Sequence, residues 1–237
     1  MKKGLKILVI GSSSGLGDAV VRQLMEETEQ CVFYCVSRTN KNKTSLESKS
    51  VQGNHQLHFL NADLNERDLY KKELESWLKD KPIDVVFYNA GVLVNEPIIS
   101  TSLNQIDTTY NTNVFGFIST IQVVYSKLRE SDAAQVLVSS SMGGFAGSVK
   151  FPGLSAYSSS KAAISNLVEV LAEEHKADGI IYNALSFGAI NTDMLNQAFP
   201  DYTCDVSPKE MASFVVQFLL GPRLFNGKNI PVSITTP

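Results

Sequence analysis

Short apolar runs alternate with longer, more polar stretches along nearly the whole chain, and this alternation restricts the possible folds most strongly. The predicted strands are Leu5–Ile10, Val32–Val36, Leu57–Leu60, Asp84–Tyr88, Val136–Val138, Ile180–Leu185 and Ile230–Ile234. Strands that alternate with helices form βαβ units, whose parallel strands are covered on both faces. We therefore predict an α/β fold with a doubly wound parallel β-sheet of about seven strands, flanked by helices.

In most of the segments between these strands, apolar residues recur at the spacing of an α-helix. The predicted helices are Gly17–Glu27, Glu66–Leu78, Leu103–Arg129, Ala156–His175 and Pro208–Leu220. The segment Thr39–Asn54 is polar and predicts an exposed loop with at most a weak helix. With 237 residues, 43% of them hydrophobic, and no linker, the chain is predicted to form a single domain over residues 1–237.

Composition excludes several classes of protein. A net charge of −3 without clustered cations argues against nucleic-acid binding. No apolar run approaches the ~18 residues of a membrane-spanning helix, and Ile7–Ile10 is too short for a signal-peptide core, so we expect a cytoplasmic protein without a membrane partner. Cys31 and Cys35 would lie about 13 Å apart on a strand, which is too far for a disulfide. With only three scattered histidines, we expect free thiols and no metal site.

A glycine-rich turn directly follows the first predicted strand. It reads Gly11-Ser12-Ser13-Ser14-Gly15-Leu16-Gly17 and leads into the first helix. Glycines at such a turn allow backbone N–H groups to approach a pyrophosphate, and the helix N-terminus favours that anion. In this context the turn predicts a Rossmann-type dinucleotide site that includes Gly11, Ser13, Ser14, Gly15, Leu16 and Gly17.

The end of the second strand indicates which dinucleotide binds. NAD-binding folds carry an acidic residue about 20 positions after the glycines, where it accepts hydrogen bonds from the ribose hydroxyls. Here that position is Ser37, and Arg38 follows it. A guanidinium is suited to bidentate bonding with a 2′-phosphate. We therefore predict a preference for NADP(H) over NAD(H), although a solvated arginine is the alternative.

Tyr157 and Lys161 are one helical turn apart on the same face of a predicted helix. A tyrosine with its ordinary pKa near 10 is a poor acid–base group at neutral pH, but a nearby ammonium favours its phenolate. Tyr157 could then donate a proton to a carbonyl oxygen or accept one from an alcohol. Such pairs occur by chance in helices, so the prediction also depends on the glycine motif upstream.

Taken together, these motifs resemble the short-chain dehydrogenase/reductase family along the entire chain. The matching segments are Gly11–Gly17, Asn61-Ala-Asp63-Leu64, Asn89-Ala90-Gly91, Asn113, the serines after the fifth strand, Tyr157-x-x-x-Lys161, and Gly188 with Thr192. Several independent motifs in the expected order are far more specific than any one of them.

The resemblance implies roles for further residues. It implies that Asp63 and Leu64 border the adenine and that Asn89, Ala90 and Gly91 pass beside the cofactor ribose. Asn113 would take part in a proton relay with Lys161, which would also bind the nicotinamide ribose. The segment with Gly188, Ile190 and Thr192 would contact the carboxamide or phosphate of the cofactor.

The catalytic serine is left open between two residues. Ungapped counting from Asn113 favours Ser140, whereas the Ser-x-x-Gly pattern allows either Ser140 or Ser141. Both cannot serve on a regular strand, because successive residues face opposite sides. Two departures from the family are also evident: Tyr88 replaces the usual first asparagine before Asn89, and Phe187 replaces the usual proline before Gly188.

The resemblance implies an oxidoreductase that transfers hydride between NADP(H) and a carbonyl/alcohol substrate, with Tyr157 as general acid/base. A non-catalytic NADP(H)-binding regulator is the alternative. The substrate pocket would include residues 92–97, 142–156 and a loop at about 191–207, without an arginine cluster. Relatives commonly form homodimers or homotetramers through two long helices. The candidate contacts here are Phe115, Phe117, Ile121 and Val124.

Overall fold

A seven-stranded parallel sheet runs through the centre of the computed structural model, which describes residues 2–234. The strands are β1 Lys6–Ile10, β2 Val32–Ser37, β3 Gln56–Asn61, β4 Val85–Tyr88, β5 Gln135–Ser141, β6 Ile181–Phe187 and β7 Lys228–Val232. Their order across the sheet is β3-β2-β1-β4-β5-β6-β7, and every neighbouring pair is parallel. The predicted doubly wound α/β fold is confirmed.

Helices cover both faces of the sheet. They are α1 Gly15–Glu27, α2 Lys43–Ser50, α3 Arg67–Leu78, α4 Leu103–Tyr110, α5 Gly116–Arg129, α6 Ser155–Glu174, α7 Asp193–Ala198 and α8 Pro208–Leu220. Helices α1 and α8 pack on one face, and α3, α5 and α6 pack on the other. Within residues 2–234, none of the helices combines the length and apolar character needed to cross a bilayer.

The interior strand β1 shows why this chain forms a sheet with two covered faces. Leu8 and Ile10 belong to the core beneath α3, α5 and α6, whereas Ile7 and Val9 belong to the core beneath α1 and α8. All four side chains are at most 1% exposed. Successive strand residues point to opposite faces, so a continuous apolar run fits only a strand that is buried on both sides.

Three helical segments differ from the sequence-based prediction, and one of them is α7, which lies within the predicted loop at about 191–207. The polar segment after β2 contains the two-turn helix α2. Only Leu46 and Ser50 of this helix are buried, so the apolar periodicity of the segment is too weak to predict a helix. The predicted helix Leu103–Arg129 is divided by a π-helical turn at Asn111–Phe115. π-helical turns inside α-helices often occur at functional sites.

Burial corrects the predicted contacts between subunits. Phe117, Ile121 and Val124 are buried in the protomer's own core beneath the sheet, so the prediction that they contact another copy is wrong. They face inward because each packs among the side chains of α3 and the adjacent strands. Phe115 remains exposed and lies 4.8 Å from the Arg67 guanidinium.

Candidate active site

The carboxyl ends of the strands border one cavity of about 1270 Å³. Ligands of open parallel sheets bind at this edge, at the point where the strand order reverses. In this sheet that point lies between β1 and β4. Every residue of the predicted site lines the cavity except Gly17 and Asn113, which lie behind its wall. The structure therefore brings the sequence motifs together from the ends of the six strands β1 to β6.

Close backbone contacts shape the glycine turn. Gly11 has φ +86°, and a Cβ there would lie 2.6 Å from the Ala90 nitrogen. A Cβ at Gly17 would overlap the Gly11 carbonyl, which explains why Gly17 lies behind the cavity wall. Because the Ser14 side chain makes no capping bond, the N–H groups of the first turn of α1 are left for a ligand. This cradle fits a pyrophosphate.

The far end of the cavity contains the predicted adenosine-binding residues. The Ser37 hydroxyl donates to the Thr39 carbonyl at 2.8 Å. Arg38 is exposed and lines the cavity, and no acidic residue in the described part of the chain pairs with it. Lys41 also lines this end. The Asp63 carboxylate accepts a hydrogen bond from the Asn65 backbone N–H at 2.9 Å.

Tyr157 and Lys161 lie on the first turns of α6, facing the end of β5. The Lys161 ammonium lies 5.8 Å from the centre of the Tyr157 ring and donates to the Ser139 carbonyl at 2.8 Å. Burial lowers the pKa of Lys161 to about 8. Burial raises the pKa of Tyr157, and a hydrogen bond with the Ser141 side chain opposes that rise.

The three consecutive serines of β5 have different partners. Ser139 donates to Asn89 Oδ1 at 2.9 Å. Ser140 is buried, donates to the Lys161 carbonyl at 3.1 Å, and shares a hydrogen bond with Ser165 at 2.7 Å. The Ser141 hydroxyl accepts from the Gly143 N–H at 3.1 Å, and of the three serines it is the one whose side chain lowers the pKa of Tyr157. The Ser140 hydroxyl therefore faces helix α6, and this geometry favours Ser141 over Ser140 as the serine beside Tyr157.

Asn113 lies fully buried in the π-helical turn and connects three segments. Its Oδ1 accepts from the Val92 N–H at 2.8 Å, and its Nδ2 donates to the Val92 carbonyl at 3.0 Å and to Ser160 at 2.9 Å. A Cβ at Gly91 would lie 3.4 Å from Lys161 Nζ and 3.5 Å from Asn113 Oδ1. Glycine at position 91 therefore keeps open the space between these two polar groups.

Metal ligands and reactive thiols add nothing to these groups in the part of the chain that the structure describes. Residues 2–234 hold no group of three or more His, Cys, Asp or Glu side chains suited to a metal ion. The three cysteines are free thiols, and burial raises the pKa of Cys35 to about 12, so it is protonated at neutral pH. The chemistry of the cavity therefore depends on Tyr157, Lys161 and the neighbouring polar groups.

The family model described as short chain dehydrogenase matches residues 5–203. The chain belongs to the short chain dehydrogenase family. It is an NAD(P)-dependent dehydrogenase/reductase, as its related oxidoreductases indicate.

Similar proteins extend over most of the chain. An uncharacterised oxidoreductase of Schizosaccharomyces pombe is 27% identical over 197 residues, which are 82% of this chain and 77% of that protein. A benzil reductase that forms (S)-benzoin in Saccharomyces cerevisiae is 28% identical over 200 residues, covering 81% and 73% of the two chains. The crystal structure of levodione reductase superposes with a TM-score of 0.84 at 22% identity, covering 98% of this chain and 97% of that one.

This short chain dehydrogenase accommodates both departures from the family pattern. Phe187 continues β6 as its last residue, paired with Ser141 on β5 and Val232 on β7, and its buried ring lines the cavity. Strand pairing therefore fixes the backbone that a proline would have made rigid. Tyr88 is buried and donates to the Thr112 carbonyl at 2.6 Å, a contact that the sequence did not reveal.

Proposed function

We propose that this enzyme transfers hydride between NADP(H) and a carbonyl/alcohol pair, with Tyr157 as general acid and base. One observation carries the proposal: the Tyr157 hydroxyl, with Ser141 and Lys161 beside it, lies in the same cavity as the glycine turn. A proton donor and a dinucleotide cradle in one cavity are what carbonyl reduction requires.

The residues present fit a nicotinamide dinucleotide. A Cβ at Gly11 would overlap the Ala90 backbone, so glycine there keeps the turn at the end of β1 in the shape that cradles a pyrophosphate. The turn from Gly11 to Gly17 would hold the pyrophosphate, and Arg38 with Lys41 would contact the adenosine end. When bound, the cofactor supplies a hydride to the carbonyl carbon. Asn89, Thr192 and Lys161 would orient its nicotinamide half.

The protonation state of Tyr157 suits carbonyl reduction. Burial raises its pKa, so the phenol keeps its proton at neutral pH and can donate it to a carbonyl oxygen. We propose that the Ser141 hydroxyl donates a second hydrogen bond to the same oxygen. After proton transfer, the Lys161 ammonium stabilises the phenolate left behind, since an opposite charge nearby favours the ionised form.

Lys161 and Asn113 are proposed to restore the proton of Tyr157. One N–H of the ammonium is used by the Ser139 carbonyl, which leaves two for the phenol and the cofactor ribose. With a pKa near 8, Lys161 can lose and regain a proton around neutral pH. Asn113 lies across Gly91 from the ammonium and would link it to the backbone around Val92.

The preference for NADP(H) is the second part of the proposal. Arg38 lines the cavity with no acidic partner in the described residues, and Lys41 adds a second positive charge at the same end. Two cations around a 2′-phosphate would form charge-assisted hydrogen bonds. Ser37, in place of an acidic residue, removes the carboxylate that would repel that phosphate.

Turnover separates this proposal from a non-catalytic NADP(H)-binding regulator, which no observation favours. The experiment incubates the chain with NADPH and a panel of aldehydes and ketones, and quantifies NADPH consumed and alcohol formed. We expect one alcohol per NADPH for at least one compound. Tight NADPH binding without alcohol formation across the panel would contradict catalysis and favour the regulator.

We further propose that the protein is cytoplasmic and that two or four copies assemble through α4, α5 and α6. Among the contact residues inferred from the sequence, only Phe115 is exposed, and Leu103 on α4 and Val170 on α6 are exposed as well. Exposed apolar side chains of this size often mark an interface. Light scattering at micromolar concentration should give the mass of a dimer or tetramer, and a monomer would contradict the assembly.

A further inference from the structure

The part of the cavity beyond Tyr157 differs chemically from the cofactor end. We call it the outer pocket and define it by Leu93, Val149, Phe151, Met194, Phe199 and Tyr202, all of which line the cavity. Val149, Phe151 and Tyr202 are more than half exposed. Exposed apolar side chains gathered around a cavity are typical of a site for an apolar ligand.

Backbone and side-chain contacts join the three segments that carry the outer pocket. The Glu96 N–H donates to the Gly153 carbonyl at 2.8 Å, which connects the segment after β4 to the segment before α6. Asn95 Nδ2 donates to the Ala198 carbonyl at 2.8 Å, which adds helix α7. The apolar side chains therefore belong to one wall and not to three independent loops.

Charge in and around the outer pocket excludes anions. Lys150 is the cation of this wall, but its ammonium donates to the Phe145 carbonyl at 2.6 Å and to Ser148 at 2.7 Å, and it does not line the cavity. The Lys150 charge therefore lies outside the cavity, whereas the Asp193 carboxylate lines it next to Met194 and repels an anionic substrate.

We propose that the outer pocket selects an uncharged ketone or aldehyde with a bulky apolar group, and rejects keto acids and other anionic carbonyl compounds. This inference rests on the proposed function. The apolar group would contact Phe151, Phe199 and Met194, while the carbonyl would reach Tyr157. Because the wall carries a negative charge, an anionic group would lose its hydration without gaining a partner.

Binding to a variant that cannot turn over tests the substrate class separately from catalysis. Calorimetry on the NADPH complex of Tyr157→Phe would compare methyl 4-acetylbenzoate with 4-acetylbenzoate, which differ by a methyl ester and a charge. We expect the ester to bind at least tenfold more tightly. Equal binding, or tighter binding of the carboxylate, would overturn the proposed substrate class but not the proposed reaction.

A designed charge provides the second arm of this experiment. Met194→Arg places a cation on the wall and should reverse the preference, so that the carboxylate binds at least as tightly as the ester. Val51→Arg is the matched control, because Val51 is exposed and does not line the cavity, and it should leave the preference unchanged. An unchanged preference in Met194→Arg would contradict contact between the substrate and this wall.

A different observation concerns Tyr88, which the proposed mechanism does not use. Its hydroxyl reaches the Thr112 carbonyl inside the π-helical turn, directly before Asn113. A Cβ at Gly116 would lie 2.6 Å from this hydroxyl, so the contact requires glycine at that position. We infer that Tyr88 is a positioning residue, which fixes the π-helical turn and thereby the Asn113 amide.

Tyr70 provides a matched control for Tyr88. Both tyrosines are fully buried, but Tyr70 shares a 2.6 Å hydrogen bond with Thr120 on α5, one turn after Gly116, and not with the π-helical turn. Tyr88→Phe and Tyr70→Phe should lower the melting temperature by similar amounts. Only Tyr88→Phe should reduce kcat at least fivefold and shift its pH profile, with the KM for NADPH changed less than twofold. Equal kcat and pH profiles for both variants, well below their melting temperatures, would overturn the inference.

Discussion

The two ends of the cleft are built on different physical principles. At the cofactor end, backbone atoms approach so closely that Gly11 and Gly17 have no room for a side chain. At the outer pocket, exposed apolar side chains lie on segments joined by a few hydrogen bonds. The cofactor end depends on a backbone shape that few sequences can adopt. The outer pocket depends on side chains that can be substituted without disturbing the sheet.

Substituting two glycines that have similar φ angles tests this comparison, and we expect the largest effect, on NADPH binding, from one of them. Gly11 and Gly147 have φ of +86° and +81°, but only Gly11 lacks space for a Cβ. Gly11→Ala should abolish measurable NADPH binding because the turn must shift. Gly147→Ala should cost only the conformational strain of about 1–2 kcal/mol and keep binding. Fluorescence titration and thermal unfolding measure both, and equal NADPH affinities would contradict the comparison.

The serines at the boundary between the two ends give the next largest effect. Ser141→Ala should lower kcat by about 10²-fold, since it removes a proposed hydrogen-bond donor to the carbonyl oxygen. Ser140→Ala should change kcat far less and mainly lower stability, because its hydroxyl bonds with Lys161 and Ser165. Steady-state kinetics and thermal unfolding separate the two effects. The reverse ranking of kcat would restore Ser140 as the catalytic serine.

Arg38 tests whether the cofactor end also selects the cofactor. Arg38→Asp replaces the guanidinium with a carboxylate that repels the 2′-phosphate, so the ratio of NADPH to NADH affinity should fall by about 10- to 100-fold. Dissociation constants for both cofactors provide the measurement. Equal affinities of the unaltered enzyme for NADPH and NADH would show that Arg38 does not discriminate between them.

The pH dependence tests the Lys161 charge without any substitution. The pKa of Lys161 is about 8, so the ammonium is present below this pH and is lost as the pH rises through it. The pKa of Tyr157 is raised, so the phenol stays protonated over the same range. We therefore expect kcat/KM for reduction to fall about tenfold per pH unit above pH 8. A constant kcat/KM between pH 7 and 10 would contradict a role for the Lys161 charge.

The sheet could be predicted from the sequence because its strands are buried on both faces. In an α/β protein, a short continuous apolar run such as Ile7–Ile10 is typical of a strand that is buried on both faces. Helix α2 could not be predicted, because burial of Leu46 and Ser50 leaves no apolar stripe along it. The π-helical turn at Asn111–Phe115 could not be predicted either, because one extra residue per turn does not clearly change the spacing of apolar residues in the sequence.

For the candidate site, sequence reasoning reaches further where backbone geometry selects the residue than where the direction of a side chain matters. The glycine motif identified residues that line the cavity or pack directly behind it. The choice between Ser140 and Ser141 shows this, because a slip of one residue on a strand moves the side chain to the opposite face, and the Ser140 hydroxyl faces α6. Sequence also flagged Tyr88 as unusual, but its partner on the π-helical turn required the folded structure.

The central claim is that Tyr157 is the general acid of a carbonyl reductase. The direct test is the turnover rate of Tyr157→Phe, measured with NADPH and a ketone that the unaltered enzyme reduces. Tyr110→Phe is the control, since its hydroxyl donates to Ser159 at 2.9 Å on the outer side of α6. We predict that Tyr157→Phe loses about 10²- to 10⁴-fold in kcat while NADPH still binds, and that Tyr110→Phe keeps its activity. Full activity of Tyr157→Phe would contradict the mechanism.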